Sequence, residues 1–261
     1  MKIAAGVEYC GIRFSGWQRQ KHASGVQQHV EKALSFVAAE KINVHCAGRT
    51  DTGVHALHQV IHFETRVHRE PHSWVFGANA NMVPDISLLW AIQVKDDFHA
   101  RYSACGRRYR YLILNRTTRP GVNSGFTAWE HRHLNVDMMS AAAEYLIGEH
   151  DFSSFRGGGC QSKSPIREIR ELTVTKRGVY IIIDIRANAF LMHMVRNIAG
   201  VLSAVGAGEH GPEWVKEVLS ARDREKGGVT APPQGLYLMD VDYPEEYGIP
   251  GRAAPAWPLL T

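Results

Sequence analysis

Two segments with alternating apolar and polar residues flank a ten-residue stretch near the start of the chain, and they constrain its fold most. They are residues 42–46 and 59–65, and the stretch between them is residues 47–56. Alternation of this kind predicts strands with one buried face. The stretch between them is therefore predicted to be a loop held by two strands. Gly48 and Gly53 stand near its ends and allow tight or left-handed turns.

This loop carries one carboxylate, Asp51, two residues after Arg49. Two interpretations of Asp51 are open at this point. The side chain could bond its own backbone in an ordinary turn, with Arg49 neutralising its charge. Alternatively, a loop held by two strands is a good place to display a reactive carboxylate.

The remaining pattern predicts two α+β halves joined near residues 104–106. Each half contains strands and amphipathic helices. The predicted strands are residues 2–9, 42–46, 59–65, 87–94, 106–114, 170–176, 179–187 and 235–243. The predicted helices are residues 24–40, 137–147, 191–202 and 211–221, the first with a capping box formed by Ser24 and Gln27. Residues 73–81 are predicted to be helical or irregular.

Composition narrows the class of protein. The chain has 261 residues and a formal net charge of +4, which permits a nucleic-acid partner without requiring one. Its four cysteines include no Cys-x-x-Cys pair, which argues against a zinc ribbon or a disulfide framework and fits a reducing compartment. Neither a signal sequence nor an apolar run long enough to cross a membrane is recognisable, so we expect a cytoplasmic protein.

The predicted strand at residues 106–114 is rich in arginine and tyrosine. Alternation places Tyr109 and Arg107 on one face, and Arg108 and Arg110 on the other. Such a strand could hold an RNA backbone and stack a base. It could equally be an exposed strand with cross-strand tyrosine packing.

Two further segments combine arginine with aromatic or glycine residues. Arg13 and Arg19 flank Trp17 in a loop that suits phosphate contacts and base stacking, although Trp17 could simply be buried in the core. Arg156 precedes three glycines that could cradle a phosphate. That segment lacks a Walker lysine, so a loop near RNA is the better interpretation.

Arg196 lies within an apolar helical run at residues 191–202. A buried arginine requires a carboxylate partner because an unpaired buried charge is very costly. The local sequence does not identify that partner, and Asp184 is one candidate.

Four motifs, in order along the chain, resemble the tRNA pseudouridine synthase A family. They are residues 9–20, 48–55 (Gly-Arg-Thr-Asp-Thr-Gly-Val-His), 107–111 (Arg-x-Tyr-x-Tyr) and 190–197. The resemblance extends through about residue 243. One departure is Cys10, which stands where the family usually has Asp.

The resemblance implies a pseudouridine synthase fold of two α/β-sandwich halves, whose largely antiparallel sheets meet at a central cleft. The implied division is residues 1–104, residues 105–243 and a loose tail at residues 244–261. It also implies a homodimer that uses no metal and no cofactor. The implied reaction converts uridine to pseudouridine at positions 38, 39 and 40 in the anticodon stem-loop of tRNA.

The resemblance also implies roles for individual residues. Asp51 would be the nucleophile and Arg196 its ionic partner, while Tyr109 would stack on the target base and Leu236 would line the pocket beneath it. Arg49 would hold the RNA backbone or fill the space that the base leaves. The arginines that would follow the phosphates are Arg13, Arg19, Arg107, Arg108, Arg110 and Arg156.

Two rival functions remain at this stage. A non-catalytic RNA-binding module would explain the arginines and tyrosines but would give the Asp51 loop no task. A metal-dependent hydrolase would use His55, His58 and His62 near Asp51. Alternation along a strand would not place all three histidines on one face, which disfavours the metal site.

Overall fold

A computed structural model describes residues 1–251, in which ten strands and five helices are found. The strands are β1 (Lys2–Tyr9), β2 (His45–Cys46), β3 (His55–Glu64), β4 (Ile86–Val94), β5 (Gly106–Asn115), β6 (Ala128–Glu130), β7 (Gly148–Asp151), β8 (Ile166–Arg177), β9 (Tyr180–Ala187) and β10 (Leu236–Asp242). The helices are α1 (Val26–Ala38), α2 (Pro71–Ala80), α3 (Val136–Glu144), α4 (Met194–Gly206) and α5 (Trp214–Ala221).

The chain divides into two compact units. Among the described residues, unit 1 contains residues 1–106 and 237–251, and unit 2 is Arg107–Leu236. The predicted division assigned residues 237–243 to the second half. In the structure these residues belong to unit 1, where β10 pairs with β3 in parallel at Tyr237 and His55.

The predicted tail at residues 244–261 falls partly outside the described residues. Its described part contains a short 3-10 turn at Glu245–Tyr247.

Unit 1 has a mainly antiparallel set of strands. β1 lies between β3 and β4 and is antiparallel to both, while β2 pairs with β3. The helix α2 packs against this set through Trp74, whose ring lies 5.2 Å from that of Phe63 in an edge-on arrangement. The Asn79 side chain then bonds both the amide N–H and the carbonyl of Leu88 in β4. Both contacts hold α2 against β3 and β4.

The helix α1 begins later than predicted. Its N-cap is Gly25, whose position supplies no side-chain cap, and Ser24 bonds the His29 ring at 2.9 Å. The capping-box prediction is therefore wrong. The predicted apolar stripe is buried at Val26, Val30 and Leu34, so the periodicity identified the inner face correctly.

Unit 2 is also largely antiparallel, in the order β5-β9-β8-β7, with β6 added in parallel to β5. The strand β9 is buried on both faces, as Ile182 and Ile183 point in opposite directions and are both almost fully covered. Gly178 turns the hairpin between β8 and β9 with a φ of 59°. The predicted hairpin at this position is confirmed.

The helix α4 is the most deeply buried helix of unit 2, with ten of its thirteen residues buried. It begins at Met194 because His193 adopts a left-handed backbone conformation with a φ of 61°. At its other end, Gly206 lies so close to Met139 of α3 that an added Cβ would be 2.7 Å from a side-chain carbon.

The fold class is confirmed as α+β with largely antiparallel strands. In the part of the chain that the structure describes, no helix is both long enough and apolar enough to cross a membrane.

Replacing Gly200 in α4 by alanine is expected to destabilise the protein by about 1–3 kcal/mol through overpacking. The added Cβ would lie 1.8 Å from the carbonyl oxygen of Val229. In an exposed helix the same change would stabilise by about 1 kcal/mol, so the sign of the effect tests the contact. Urea unfolding would measure it, with Gly121→Ala as the control because its Cβ would meet nothing within 4 Å. Equal stability of the two variants would contradict this packing.

Candidate active site

The loop that carries Asp51 is closed by a turn of its own backbone. The amide of Val54 donates to the carbonyl of Asp51 at 3.1 Å, and Gly53 has the left-handed φ of 78° that such a tight turn requires. The Asp51 side chain is half-buried, whereas Arg49 is exposed. Gly53 therefore has the left-handed backbone conformation that the sequence predicted as possible at this position.

A second loop, residues 10–17, braces the Asp51 loop by main-chain contacts. The amide of Trp17 donates to the carbonyl of Thr50 at 3.0 Å, and Gly53 donates to Phe14 at 3.4 Å. A Cβ on Gly16 would lie 2.6 Å from the Thr50 carbonyl oxygen, and its φ of 85° also favours glycine. Trp17 is buried and therefore packs in the core instead of stacking on a ligand.

Buried side chains complete this bracing. The hydroxyl of Tyr9 bonds that of Thr50 at 2.8 Å, with both residues almost fully covered. His55 accepts a hydrogen bond from the Gly11 amide at 3.1 Å and stacks on Tyr237 at 4.6 Å. The Asp51 loop is therefore fixed from both sides within unit 1.

Gln59 holds the beginning of the same loop. Its fully buried amide group both donates to the carbonyl of Gly48 and accepts from the Gly48 amide N–H. Sequence reasoning missed Gln59, Thr50 and Gly16 as supports of the loop. A polar residue amid the apolar run of β3 was the available signal for Gln59, because buried polar groups are almost always bonded.

The three histidines of the metal-site alternative have separate structural partners. His58 bonds Asp240 at 2.7 Å and accepts from Trp90 at 2.9 Å. His62 accepts from the Ala100 amide at 3.1 Å, and burial lowers the pKa of its imidazole to about 3. Within residues 1–251, no group of three or more His, Cys, Asp or Glu side chains could hold a metal ion.

The arginines of β5 differ in how they are paired. Arg110 forms two hydrogen bonds with Asp184 of β9, at 3.0 and 2.8 Å, and the two residues are direct cross-strand partners. Arg108 lies 3.7 Å from the same carboxylate and is more exposed, which confirms the predicted common face. Asp184, considered above as a partner for Arg196, is thus the partner of Arg110.

Tyr109 lies on the opposite face of β5 and is 8% exposed. Its ring meets that of Phe190 edge-on, at a centroid distance of 5.0 Å. The guanidinium of Arg107 on the same face donates to the carbonyl of Asn188 at 3.0 Å. Phe190 and Asn188 belong to the segment that leads into α4, so this segment packs against the Tyr109 face.

Arg196 in α4 is half-buried and is held from one side by the segment before β10. Its Nε donates to the carbonyl of Ala231 at 2.8 Å, while the Ala231 amide donates to the Arg196 carbonyl at 3.1 Å. The next residue, Pro232, accepts from the buried Tyr111 hydroxyl at 2.7 Å. Leu236, which follows this segment, is buried with an exposure of 6%.

The neighbouring Asn197 was not predicted as a site residue, yet it organises the surroundings of Arg196. It is fully buried and donates to the carbonyl of Phe155 at 2.8 Å. Its side-chain oxygen accepts from Thr230 at 2.6 Å and from Arg224 at 3.1 Å. Asn197 therefore ties two segments of unit 2, one at Phe155 and one containing Arg224 and Thr230, to the first turn of α4.

The outer predicted arginines are placed at separate positions. Arg13 pairs with Asp85 at 3.1 Å and Arg19 with Glu31 at 2.9 Å, and both arginines stay largely exposed. Arg156 donates to the carbonyls of Cys160 and Ser162 in the loop that follows it.

Comparison with known proteins identifies the family. The family model described as tRNA pseudouridine synthase matches residues 5–103 and 142–244, which together are more than half of the chain. The chain belongs to the tRNA pseudouridine synthase family. The matched stretches contain Asp51, Arg196 and Leu236, whereas Tyr109 lies in the interval between them.

Similar proteins extend over nearly the whole chain. A protein of Vibrio campbellii named tRNA pseudouridine synthase A is 55% identical over 261 residues, covering 100% of this chain and 98% of that protein. One of the same name from Nitrosococcus oceani is 55% identical over 255 residues, or 98% of each chain. Another, from Coxiella burnetii, is 53% identical over 249 residues, or 95% of each.

For this family member we expect Arg110 and Arg108 to respond differently to mutation. Arg110→Gln leaves the mostly buried Asp184 without its main partner and should lower the free energy of unfolding by about 3 kcal/mol. Arg108→Gln, at a more exposed position, should cost less than about 1 kcal/mol. Chemical unfolding of the two variants side by side provides the measurement. A similar loss in both would show that Arg110 is not the structural cation of this pair.

Proposed function

We propose that this chain converts uridine to pseudouridine at positions 38, 39 and 40 in the anticodon stem-loop of tRNAs, with Asp51 as the nucleophile. The observation that carries the proposal is family membership over both units, combined with the braced loop that presents Asp51. Members of the family are isomerases, and the relatives above carry the name of this activity.

The reaction needs no redox partner and no energy source. The bond between N1 of the base and C1′ of the ribose breaks, the base turns, and a bond forms between C5 and C1′. The proton on C5 is then lost and N1 gains one, so the product is an isomer of the substrate. A carboxylate can assist either by bonding to C1′ or by adding to C6 of the base. Both routes use the same Asp51.

The geometry of the Asp51 loop suits a nucleophile. Positioning a reactive group in advance supplies much of the advantage of an active site. Here the backbone on either side of Asp51 is fixed by Trp17 and by the turn to Val54, at 3.0 and 3.1 Å. The carboxylate itself is half-buried, so a base entering the site can reach it.

We assign supporting roles to three residues of unit 2. Arg196 is the proposed ionic partner of Asp51, which would keep the carboxylate charged at neutral pH. The support for this role is the bond from its Nε to the Ala231 carbonyl, which fixes the guanidinium. Tyr109 would stack on the base, and its edge-on contact with Phe190 holds its ring. Leu236 would supply apolar surface beneath the base.

The substrate must leave its stack before it can react, since a paired base conceals its reacting atoms. Arg49 is exposed beside Asp51 and is the proposed group that holds the backbone or occupies the vacated space. Arg13, Arg19 and Arg108 are the other outer arginines available to phosphates. We also propose that the protein acts as a cytoplasmic homodimer, on the basis of the family resemblance.

A test of this function is pseudouridine mapping on an unmodified tRNA with uridines at positions 38 to 40, with a chelator present. Wild type should convert these uridines, and Asp51→Ala should lower single-turnover conversion by at least about 10⁴-fold because the nucleophile is lost. Asp97→Asn is the control, because Asp97 is an exposed carboxylate outside the site.

Each alternative result has a distinct meaning. Conversion by Asp51→Ala at the wild-type rate would show that another carboxylate is the nucleophile. Binding of tRNA by both proteins without any conversion would favour a non-catalytic RNA-binding module.

A further inference from the structure

A second group of cations surrounds a cysteine in unit 2. Cys160 follows the glycines at residues 157–159, and its neighbours include Arg156 before the glycines and Arg167 in β8. Arg107 of β5 lies close enough to Arg167 to disfavour its charge. Three positive side chains therefore share one small region, which we call the Cys160 cluster.

Neutral groups are the partners of two of these arginines. One terminal nitrogen of Arg156 donates to the carbonyls of Cys160 and Ser162, at 2.6 and 2.7 Å. Arg167 donates to the carbonyls of Ser164 and Ile166 and to the hydroxyl of Ser162. Among the described residues, no carboxylate lies within 4.0 Å of either guanidinium. No carboxylate of the described residues therefore neutralises their charges.

Both guanidiniums retain donors after these bonds are made. An arginine has five N–H groups. Both carbonyl bonds of Arg156 come from one of its three nitrogens, and the buried Nε of Arg167 has no hydrogen-bond partner. Burial and the two neighbouring arginines lower the pKa of Arg167, although Cys160 acts in the opposite direction. An anion in the cluster would relieve this repulsion.

The neighbouring groups also change the pKa of the Cys160 thiol. Burial alone would raise the pKa of the Cys160 thiol, but hydrogen bonds from the Met192 and Ser162 amides and from Arg156 outweigh it, so the pKa is lowered. The cluster thus stabilises negative charge at a defined atom. Burial instead raises the pKa of the Cys46 thiol to about 12, so the effect is local to Cys160.

The adjoining glycine turn is open to a large ligand. The amide of Cys160 donates to the carbonyl of Gly157 at 3.3 Å, and Gly159 adopts a left-handed φ of 78°. A Cβ added to Gly158 would meet nothing within 4 Å. A bulky polyanion can therefore approach the backbone of this turn.

We propose that Arg156, Arg167 and the turn at residues 157–160 bind one phosphate group of the RNA substrate, an inference that rests on the proposed function. Guanidinium groups suit phosphate because their planar donors match its oxygens. The bonds from Arg156 and Arg167 to main-chain carbonyls hold them in place before the RNA arrives. RNA is the favoured source of the phosphate because the turn is open to bulky ligands.

The first test measures binding of an unmodified anticodon stem-loop RNA at several salt concentrations. Loss of one phosphate contact should reduce the slope of log K against log salt by about 0.7–0.9. We expect this reduction for Arg167→Gln, with a raised KM and an unchanged kcat, and partial rescue of the slope by Arg167→Lys. The control is Arg170→Gln on the same strand, because Arg170 is paired with Glu168 at 3.0 Å. Equal slopes for Arg167→Gln and Arg170→Gln would overturn the proposal.

The second test uses the wild-type chain and so does not depend on any variant folding. Iodoacetamide labelling of Cys160 is followed by peptide mass spectrometry, with the exposed Cys105 as the internal reference. A phosphate beside the thiolate should slow labelling of Cys160 about tenfold, as a one-unit rise of its pKa would. We expect this slower labelling of Cys160 when RNA is present, and a smaller effect when only inorganic phosphate is present.

These outcomes separate the possible sources of the anion and the two proposals. Protection by inorganic phosphate without protection by RNA would make the cluster a free-anion site and overturn the RNA assignment. If neither RNA nor inorganic phosphate slows the labelling of Cys160, the cluster is not an anion-binding site. If wild type and Arg170→Gln form pseudouridine while the slope test fails, this inference alone is wrong. If no protein forms pseudouridine, the proposed function is wrong.

Discussion

The close main-chain contact between residues 10–17 and the Asp51 loop is the constraint on which unit 1's contribution to the site depends. Gly16 lies against the Thr50 carbonyl with no room for a Cβ, and the Trp17 amide bonds the same carbonyl. The position of the Asp51 backbone is therefore set by hydrogen bonds that do not involve its own side chain. The loop therefore stays ordered through its main chain, whatever bonds the carboxylate makes.

The arginines of unit 2 differ in whether a carboxylate pairs with them, and this difference distinguishes structural arginines from arginines that are available to a ligand. Arg110 has a two-point bond to Asp184, so its charge is neutralised inside the fold. Arg156 and Arg167 bond main-chain carbonyls and have no carboxylate partner among the described residues. A protein gains little stability from such cations, because desolvating them is costly without a counter-charge. An anionic ligand is the simplest reason for holding them together.

Local patterns in the sequence predicted the elements well and their partners poorly. Alternation in β5 correctly placed Arg108 and Arg110 on one face, since side-chain direction depends only on the strand period. The same reasoning could not identify Asp184 as the partner of Arg110, because that contact joins positions 74 residues apart. The capping box at Ser24 failed for a local reason: the N-cap is Gly25, and the Ser24 hydroxyl bonds His29 instead.

The candidate site shows the same limit: the local sequence does not identify the distant groups that hold the site. Resemblance to the family singled out Asp51, but the groups that hold its loop, such as Tyr9 on Thr50, come from elsewhere in unit 1. The nearby histidines were open to a metal interpretation because residue type alone does not reveal how a lone pair is used. In the structure, His55 and His62 each accept a backbone N–H at Nδ1. With Nδ1 accepting, a neutral ring carries its proton on Nε2. These histidines therefore act as buried acceptors that lock the strand β3 to its neighbouring loops.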